Sequence, residues 1–102
     1  MDSEAFESEL RRDGFIDVYK GDFPPGNAVE AHPHDGFDAR TLVISGSCTQ
    51  TINGVPREYH AGDIYFISAG STHQELIGPQ GMRYVSGLRH IKGFALSSAR
   101  SV

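Results

Sequence analysis

The stretch Gly26-Asn27-Ala28-Val29-Glu30-Ala31-His32-Pro33-His34 places two imidazoles two residues apart in a segment expected to form a strand. Alternate residues of a strand point to the same face of the sheet. If that face is the inside of a barrel, His32 and His34 converge on one point, which is what a metal ion needs. A His-x-His beside proline and glycine is equally typical of a polar turn, so other residues must decide between the two interpretations.

The segment before this stretch predicts a short helix. Residues 3–12 place Phe6 and Leu10 four positions apart, on one face, with Ser3 as the expected N-cap. Gly14 is expected to end the helix. We therefore predict an N-terminal helical extension over residues 1–13.

The rest of the chain reads as short strands separated by turn residues. Asn53-Gly54 is the dipeptide that type I′ hairpins prefer, Gly46 is expected to close a strand, and residues 78–81 form a further turn signal. The predicted strands are 15–19, 28–34, 40–44, 47–52, 55–59, 64–67, 73–77 and 82–86, with a last apolar segment around Phe94. This pattern predicts an all-β sandwich or barrel.

Composition limits the classes of function. The chain has 102 residues, a net charge of −4 and one cysteine, Cys48. This length suits a single domain over residues 1–102, with a flexible tail at 97–102. The charge and the absence of a basic cluster argue against nucleic acid and anionic membrane surfaces as partners. The acidic N-terminus and the lack of a long apolar run argue against a leader or an anchor, and one cysteine favours a cytoplasmic location.

Two spaced motifs resemble those of the cupins in their single-domain form. The first cupin motif, G-x5-H-x-H followed by a Glu and a Gly, is matched by Gly26, His32, His34 and Gly46. Residues at the spacings of the second motif, G-x5-P-x-G-x2-H-x3-N, are Gly62, Ser68, Gly70, His73 and Ile77, with Ser68 and Ile77 departing from its Pro and Asn. The resemblance covers Pro24 to about Val85. It implies a single small jelly-roll barrel with a metal site inside.

The resemblance also implies a ligand set. It makes His32, His34 and His73 the ligands of one divalent transition metal ion, Fe, Mn, Zn or Ni, with coordination positions left open. It further implies a small-molecule ligand or substrate, and a homodimer, since cupins commonly pair. The alternative is a degenerate barrel in which the three imidazoles form a hydrogen-bonded polar interior without metal.

The carboxylate ligand of the cupin pattern is missing, because its position is Ala39. Glu75 lies two residues after His73, on the same strand face, so we expect it to point inward as a ligand or as an acid/base group. Beside a cation it is expected to stay ionised. Asp38 is the weaker substitute, since strand alternation turns it away from the face of Ala39. Glu75 as a hydrated residue at the barrel rim remains an alternative.

Other polar and aromatic residues are assigned structural roles. Cys48 and Gln50 share one strand face, and Cys48 is expected to be a small buried hydrophobe. The arginines 40, 83 and 89 are expected on the barrel surface, with the holding of a substrate carboxylate as the alternative. The tyrosines at 19, 59, 65 and 84 are expected in the core and at interfaces rather than in a binding cage.

Two classes of function follow from these residues. The first is a metal-dependent enzyme acting on a small polar metabolite, a carboxylate or a sugar-like compound, in which Glu75 moves a proton; isomerase, lyase and oxygenase chemistry all remain open. The second is a non-catalytic module that binds or senses a metabolite. The three histidines and the inward carboxylate favour the enzyme, whereas Ala39 weakens the comparison with three-His-one-Glu oxygenases.

Overall fold

One helix precedes six strands in the computed structural model, which describes residues 1–33 and 35–91. The elements are α1 (Ser3–Arg12), β1 (Asp17–Phe23), β2 (Ala28–Pro33), β3 (Phe37–Ile52), β4 (Val55–His60), β5 (Ile64–Ile67) and β6 (Thr72–His90). The long strands β3 and β6 pair with each other, and the short strands complete their outer edges: β1 and β2 on β6, and β4 and β5 on β3. Every pairing is antiparallel. The fold is the all-β jelly-roll barrel with a short N-terminal helix that the sequence predicted.

Strand β3 does not end at Gly46, so this part of the sequence prediction was wrong. The strand continues to Ile52, and its register with β6 shifts between Val43 and Ser45 and again between Gly46 and Cys48. Gly46 has a φ of 79°, and a Cβ there would collide with the carbonyl oxygen of Gly81. Glycine therefore lets the two strands approach closely at the point where β3 is bulged.

Strand β6 likewise runs through the turn predicted at residues 78–81. Ile77 pairs with Cys48 and Met82 pairs with Gly46, so four residues of β6 lie opposite Ser47 alone. These irregularities change which residues face inward. On β6 the buried core residues have odd numbers before these four residues, as at Ile77, and even numbers after them, as at Met82.

The N-terminal helix covers the outer face of the barrel. Its N-cap is Asp2, one residue before the predicted Ser3, because the Asp2 carboxylate accepts a hydrogen bond from the N–H of Ala5 at 2.8 Å. The predicted apolar face is confirmed, since Phe6 and Leu10 are both buried. They belong to a core cluster with Phe15, Leu42 and Val85. Leu42 of β3 therefore packs beneath α1.

The hairpin between β3 and β4 forms as predicted. Asn53 and Gly54 have φ angles of 49° and 81°, the two positive values that a type I′ turn requires. The turn is also tied to the start of β6, because Thr72 N–H donates to Asn53 Oδ1 at 3.0 Å and Asn53 N–H donates to the Thr72 carbonyl at 2.8 Å. The start of β6 is thereby held beside this end of β3.

The predictions for Phe94 and for the 97–102 tail lie outside the described residues. Within the described ranges, no helix is long and apolar enough to cross a bilayer.

Candidate metal centre and ligand cavity

A cavity of about 250 Å³ lies inside the barrel, bordered by residues of β1, β2, β3, β5 and β6. Its polar wall includes Thr41 and Ser86, whose hydroxyls are 2.8 Å apart, together with two imidazoles and one carboxyl group. The volume corresponds to the share of liquid volume taken by about eight water molecules. The cavity therefore suits a ligand of roughly that many non-hydrogen atoms.

His32 and His73 form one side of this cavity. They are direct partners in the register of β2 with β6, and their ring centroids lie 4.6 Å apart at an interplanar angle of 63°. His32 Nδ1 lies 2.9 Å from the carbonyl oxygen of Glu30. Because a carbonyl only accepts hydrogen bonds, Nδ1 carries the proton of the neutral ring, and Nε2 carries the lone pair that can bind a metal. The predicted partner His34 lies outside the described residues.

Glu75 lines the same cavity, as the sequence predicted. Its side chain is 8% exposed, and Gln50 Nε2 donates a hydrogen bond to its Oε1 at 2.5 Å. Burial raises the pKa of the Glu75 carboxyl, while the Gln50 hydrogen bond and the nearby His32 oppose that rise. Glu75 is therefore a carboxyl largely shielded from water, in the same cavity as two imidazoles.

Gln50 is the polar residue whose role the sequence analysis missed. It is fully buried, and its amide nitrogen lies near three acceptors: Glu75 Oε1, Tyr65 Oη at 3.3 Å and Cys48 Sγ at 3.4 Å. Its inward orientation was visible in the sequence, because Gln50 shares a strand face with Cys48. Its partner was not visible, because the pairing of Gln50 with Glu75 joins β3 to β6.

Cys48 is buried, and the pKa of its thiol is raised chiefly by burial. This agrees with the predicted role of a small buried hydrophobe.

Asp38 does not reach the cavity. It is buried on the other face of β3, where its carboxylate accepts a hydrogen bond from Arg89 at 2.7 Å and one from the Ala69 N–H at 2.8 Å. Ala39, in contrast, lines the cavity. Of the two acids weighed as replacements for the missing carboxylate, only Glu75 lines the cavity that the imidazoles line.

The arginines lie away from the cavity. The guanidinium carbons of Arg40 and Arg89 each lie 4.5 Å from the centroid of the Phe15 ring, under the helix. Arg83 is exposed and pairs with Asp22 at 3.3 Å. Among the described residues that line the cavity, none is lysine or arginine.

Aromatic side chains form a second wall, which the sequence analysis did not foresee. Tyr59 packs against Tyr65 at 5.0 Å, in keeping with the predicted core role. Tyr65 also borders the cavity, however, and so do Tyr19 and Tyr84 together with Phe23. Burial raises the pKa of Tyr84 to about 12, so its hydroxyl stays protonated at neutral pH.

The donors around the imidazoles fit a divalent transition metal in their chemistry. Imidazole nitrogen and carboxylate oxygen are ligands that Zn²⁺, Fe²⁺ and Mn²⁺ accept. Across residues 1–33 and 35–91, no cluster of three or more His, Cys, Asp or Glu is arranged to hold a metal ion. The described residues thus supply two adjacent imidazoles, with Glu75 in the same cavity.

The chain is similar to a known protein family and to a curated enzyme. Residues 20–84 match the model of the Cupin domain family. Over 66 residues the chain is 35% identical to dimethylsulfoniopropionate lyase DddW of Ruegeria pomeroyi, an alignment that covers 65% of this chain and 43% of that enzyme. The chain therefore spans less than half the length of this curated relative.

Solved structures show the same fold at low sequence identity. A predicted oxalate decarboxylase from Thermotoga maritima superposes with a TM-score of 0.69 at 21% identity, covering 82% of this chain and 74% of that one. The Cnp3 cupin domain of Schizosaccharomyces pombe superposes with a TM-score of 0.68 at 13% identity, covering 84% and 63%. At these identities the likeness concerns the fold alone.

Proposed function

The chain belongs to the Cupin domain family, and from that premise we propose that it is a metal-dependent lyase that removes a proton from a small carboxylate metabolite. The observation that carries this proposal is that one carboxyl group, Glu75, shares a cavity of about 250 Å³ with the paired imidazoles of His32 and His73. A base and a metal-binding edge on one small cavity are what proton abstraction beside a carboxylate needs.

In this proposal His32, His34 and His73 hold the metal, and Glu75 is the catalytic base. When bound, the metal acts as a Lewis acid that polarises the substrate carboxylate. The tautomer that the Glu30 carbonyl imposes on His32 supports its role as an Nε2 ligand.

Glu75 takes the proton from the carbon next to the substrate carboxylate. The electron pair of the broken C–H bond becomes the new C=C bond, and the group on the following carbon leaves with its own bonding pair. Gln50 donates to Oε1 of the buried Glu75, which orients the carboxylate.

The relative supports lyase chemistry within the choices that the sequence left open. Its name records action on dimethylsulfoniopropionate, a carboxylate with a leaving group on the β carbon. Elimination from that compound gives acrylate and dimethyl sulfide. This substrate is therefore the first to assay.

A non-catalytic ligand-binding module is the second candidate, and the observation that favours it is Ala39. Ala39 lines the cavity where the cupin pattern has a carboxylate ligand. A metal held by imidazoles alone can still bind a metabolite without turning it over.

The experiment uses protein reconstituted separately with Mn²⁺, Fe²⁺ and Zn²⁺. Short β-substituted carboxylates, including dimethylsulfoniopropionate, are followed by NMR in D₂O for loss of the α-proton and for formation of the alkene. We expect turnover by the wild-type protein and a loss of about 100-fold or more in Glu75→Gln. Glu58→Gln makes the same change at an exposed position of β4 that does not line the cavity, and it should leave the rate unchanged.

Metal content measured in parallel separates the two candidate functions. Full metal occupancy without proton loss from any of the compounds contradicts the lyase and supports the binding module. Turnover that Glu75→Gln does not reduce contradicts the role of Glu75.

A further inference from the structure

The aromatic wall of the cavity is formed by residues of the paired strands β1 and β6. Tyr19, Gly21 and Phe23 occupy alternate positions of β1, and Gly21 is the register partner of Tyr84 on β6. A Cβ at residue 21 would collide with the Tyr84 ring. The glycine therefore provides the space in which this ring lies across β1.

Tyr84 contacts the other two rings in defined geometries. Tyr84 stacks with Phe23 at a centroid distance of 5.2 Å and an interplanar angle of 19°, and it meets Tyr19 edge-on at 6.2 Å and 84°. All three border the cavity. The aromatic wall therefore lies on β1 and the C-terminal half of β6, whereas the imidazoles lie on β2 and the N-terminal half of β6.

The side chains around this wall, leaving aside a metal ion on the imidazoles, favour a positive ligand group. Among the described residues that line the cavity, Glu75 is the one acid, and no lysine or arginine is present. Glu75 and Tyr84 border the same cavity. An aromatic surface attracts a cation through its quadrupole, and a nearby carboxylate adds to that attraction when water is excluded.

The wall suits a cation that needs no hydrogen bonds. A primary ammonium brings three N–H donors that must be satisfied on burial, whereas a fully alkylated onium group brings none. We infer that the wall of Tyr19, Phe23 and Tyr84 binds the onium end of a small zwitterion, a quaternary ammonium or tertiary sulfonium compound that also carries a carboxylate. That this ligand is the substrate rests on the proposed function; the binding preference itself does not.

The test compares two ligands that differ in charge and hardly in shape. Glycine betaine carries a trimethylammonium group, and 3,3-dimethylbutanoate carries a tert-butyl group in its place. Isothermal titration calorimetry of the metal-loaded wild-type protein should show glycine betaine binding about tenfold more tightly or better. Equal affinities, tighter binding of the neutral analogue, or no binding of either compound would overturn the inference.

Variants show whether the preference comes from the ring. Tyr84→Phe keeps the aromatic face and should keep most of the preference, whereas Tyr84→Leu should lose most of it. Phe66→Leu removes an exposed aromatic ring that does not line the cavity and serves as the matched control. If Tyr84→Leu does not fold, loss of the preference in a Phe23→Leu variant is the corresponding expectation, and its retention there counts against the wall.

The outcome is separable from that of the lyase assay. A charge preference in a protein that releases no proton leaves the inference standing and removes the proposed catalysis. Catalysis on carboxylates without any charge preference does the reverse.

Discussion

At the scale of single residues, the pair Gln50 and Glu75 decides the character of the cavity. Neither side chain is more than 8% exposed, and the two are cross-strand partners of β3 and β6. A buried carboxyl group without a donor is costly, because it loses hydration without compensation. Gln50 supplies that donor from inside the barrel, so it both stabilises and orients the residue that we propose as the base.

Replacing Gln50 with leucine should therefore destabilise the protein even though leucine is apolar. We expect the free energy of unfolding to fall by about 1–3 kcal/mol, since Glu75 Oε1 loses its buried donor. Urea unfolding at neutral pH measures the change. Gln74→Leu makes the same substitution at an exposed neighbouring position of β6 and should stay within about 0.5 kcal/mol of the wild type. A Gln50→Leu protein as stable as this control would refute the role given to the hydrogen bond.

At the scale of elements, the end of α1 is attached to the barrel by charged side chains that surround the ring of Phe15. Arg40 donates to Asp13 at 2.7 Å, and both Arg40 and Arg89 stack on Phe15. Arg89 in turn pairs with the buried Asp38. This arrangement explains why Asp38, an acid next to the missing ligand position in the sequence, serves the outer face of β3 instead of the cavity.

The Asp13 pair makes stability depend on acid pH. The hydrogen bond from Arg40 is the main cause that lowers the pKa of Asp13 below its ordinary value of 3.8. A carboxyl whose pKa is lowered by folding contributes stability above its unfolded pKa and loses that contribution as the pH falls through its folded pKa. We expect Asp13→Asn to be less stable than the wild type at neutral pH, with the difference shrinking as the pH drops below 3.8.

Thermal unfolding of both proteins across this pH range measures the effect. Asp22→Asn changes an exposed pair with Arg83 and should show a smaller difference at every pH. A difference between Asp13→Asn and the wild type that persists unchanged into acid would argue against the ion pair as its source.

At the scale of the whole molecule, the proposed metal centre joins distant parts of the chain. His32 on β2 and His73 on β6 are separated by β3, β4 and β5 in sequence, yet they are direct partners in the barrel. An ion that binds only the folded arrangement stabilises it by mass action, by about 2.7 kcal/mol at a hundredfold excess over its dissociation constant.

Metal addition should therefore raise the melting temperature. For a domain of this size the shift should be about 10 °C or more at that excess, with Mn²⁺ or Zn²⁺ added to protein purified without chelator or nickel resin. His73→Ala should abolish the shift, and His90→Ala, which changes an exposed histidine paired with Asp17, should retain it. An equal shift in wild type and His73→Ala would place the binding elsewhere.

Local patterns in the sequence were sufficient to predict the helix, the hairpin and the strand β5. The apolar pair Phe6 and Leu10 predicted the helix, Asn53-Gly54 predicted the hairpin, and the apolar run at 64–67 predicted β5 with its observed bounds. The spacing of the histidines and glycines predicted the barrel and placed Glu75 on its inner face. The helix and the inward position of Glu75 need only the period of one helix or one strand, and the hairpin needs only its turn dipeptide. The barrel was implied by the resemblance to the cupin motifs.

Only the tertiary structure shows that β3 and β6 continue as strands past their glycines. Both strands were expected to stop, at Gly46 and at residues 78–81, and instead each continues past a register shift. Because side chains alternate with a period of two, such an irregularity exchanges the inward and outward faces. That exchange, together with cross-strand pairing, brings Gln50 to Glu75 and Tyr84 to Gly21. No pattern along a single strand contains the register between strands, which is why the aromatic wall and the partner of the buried carboxyl appeared only in the folded barrel.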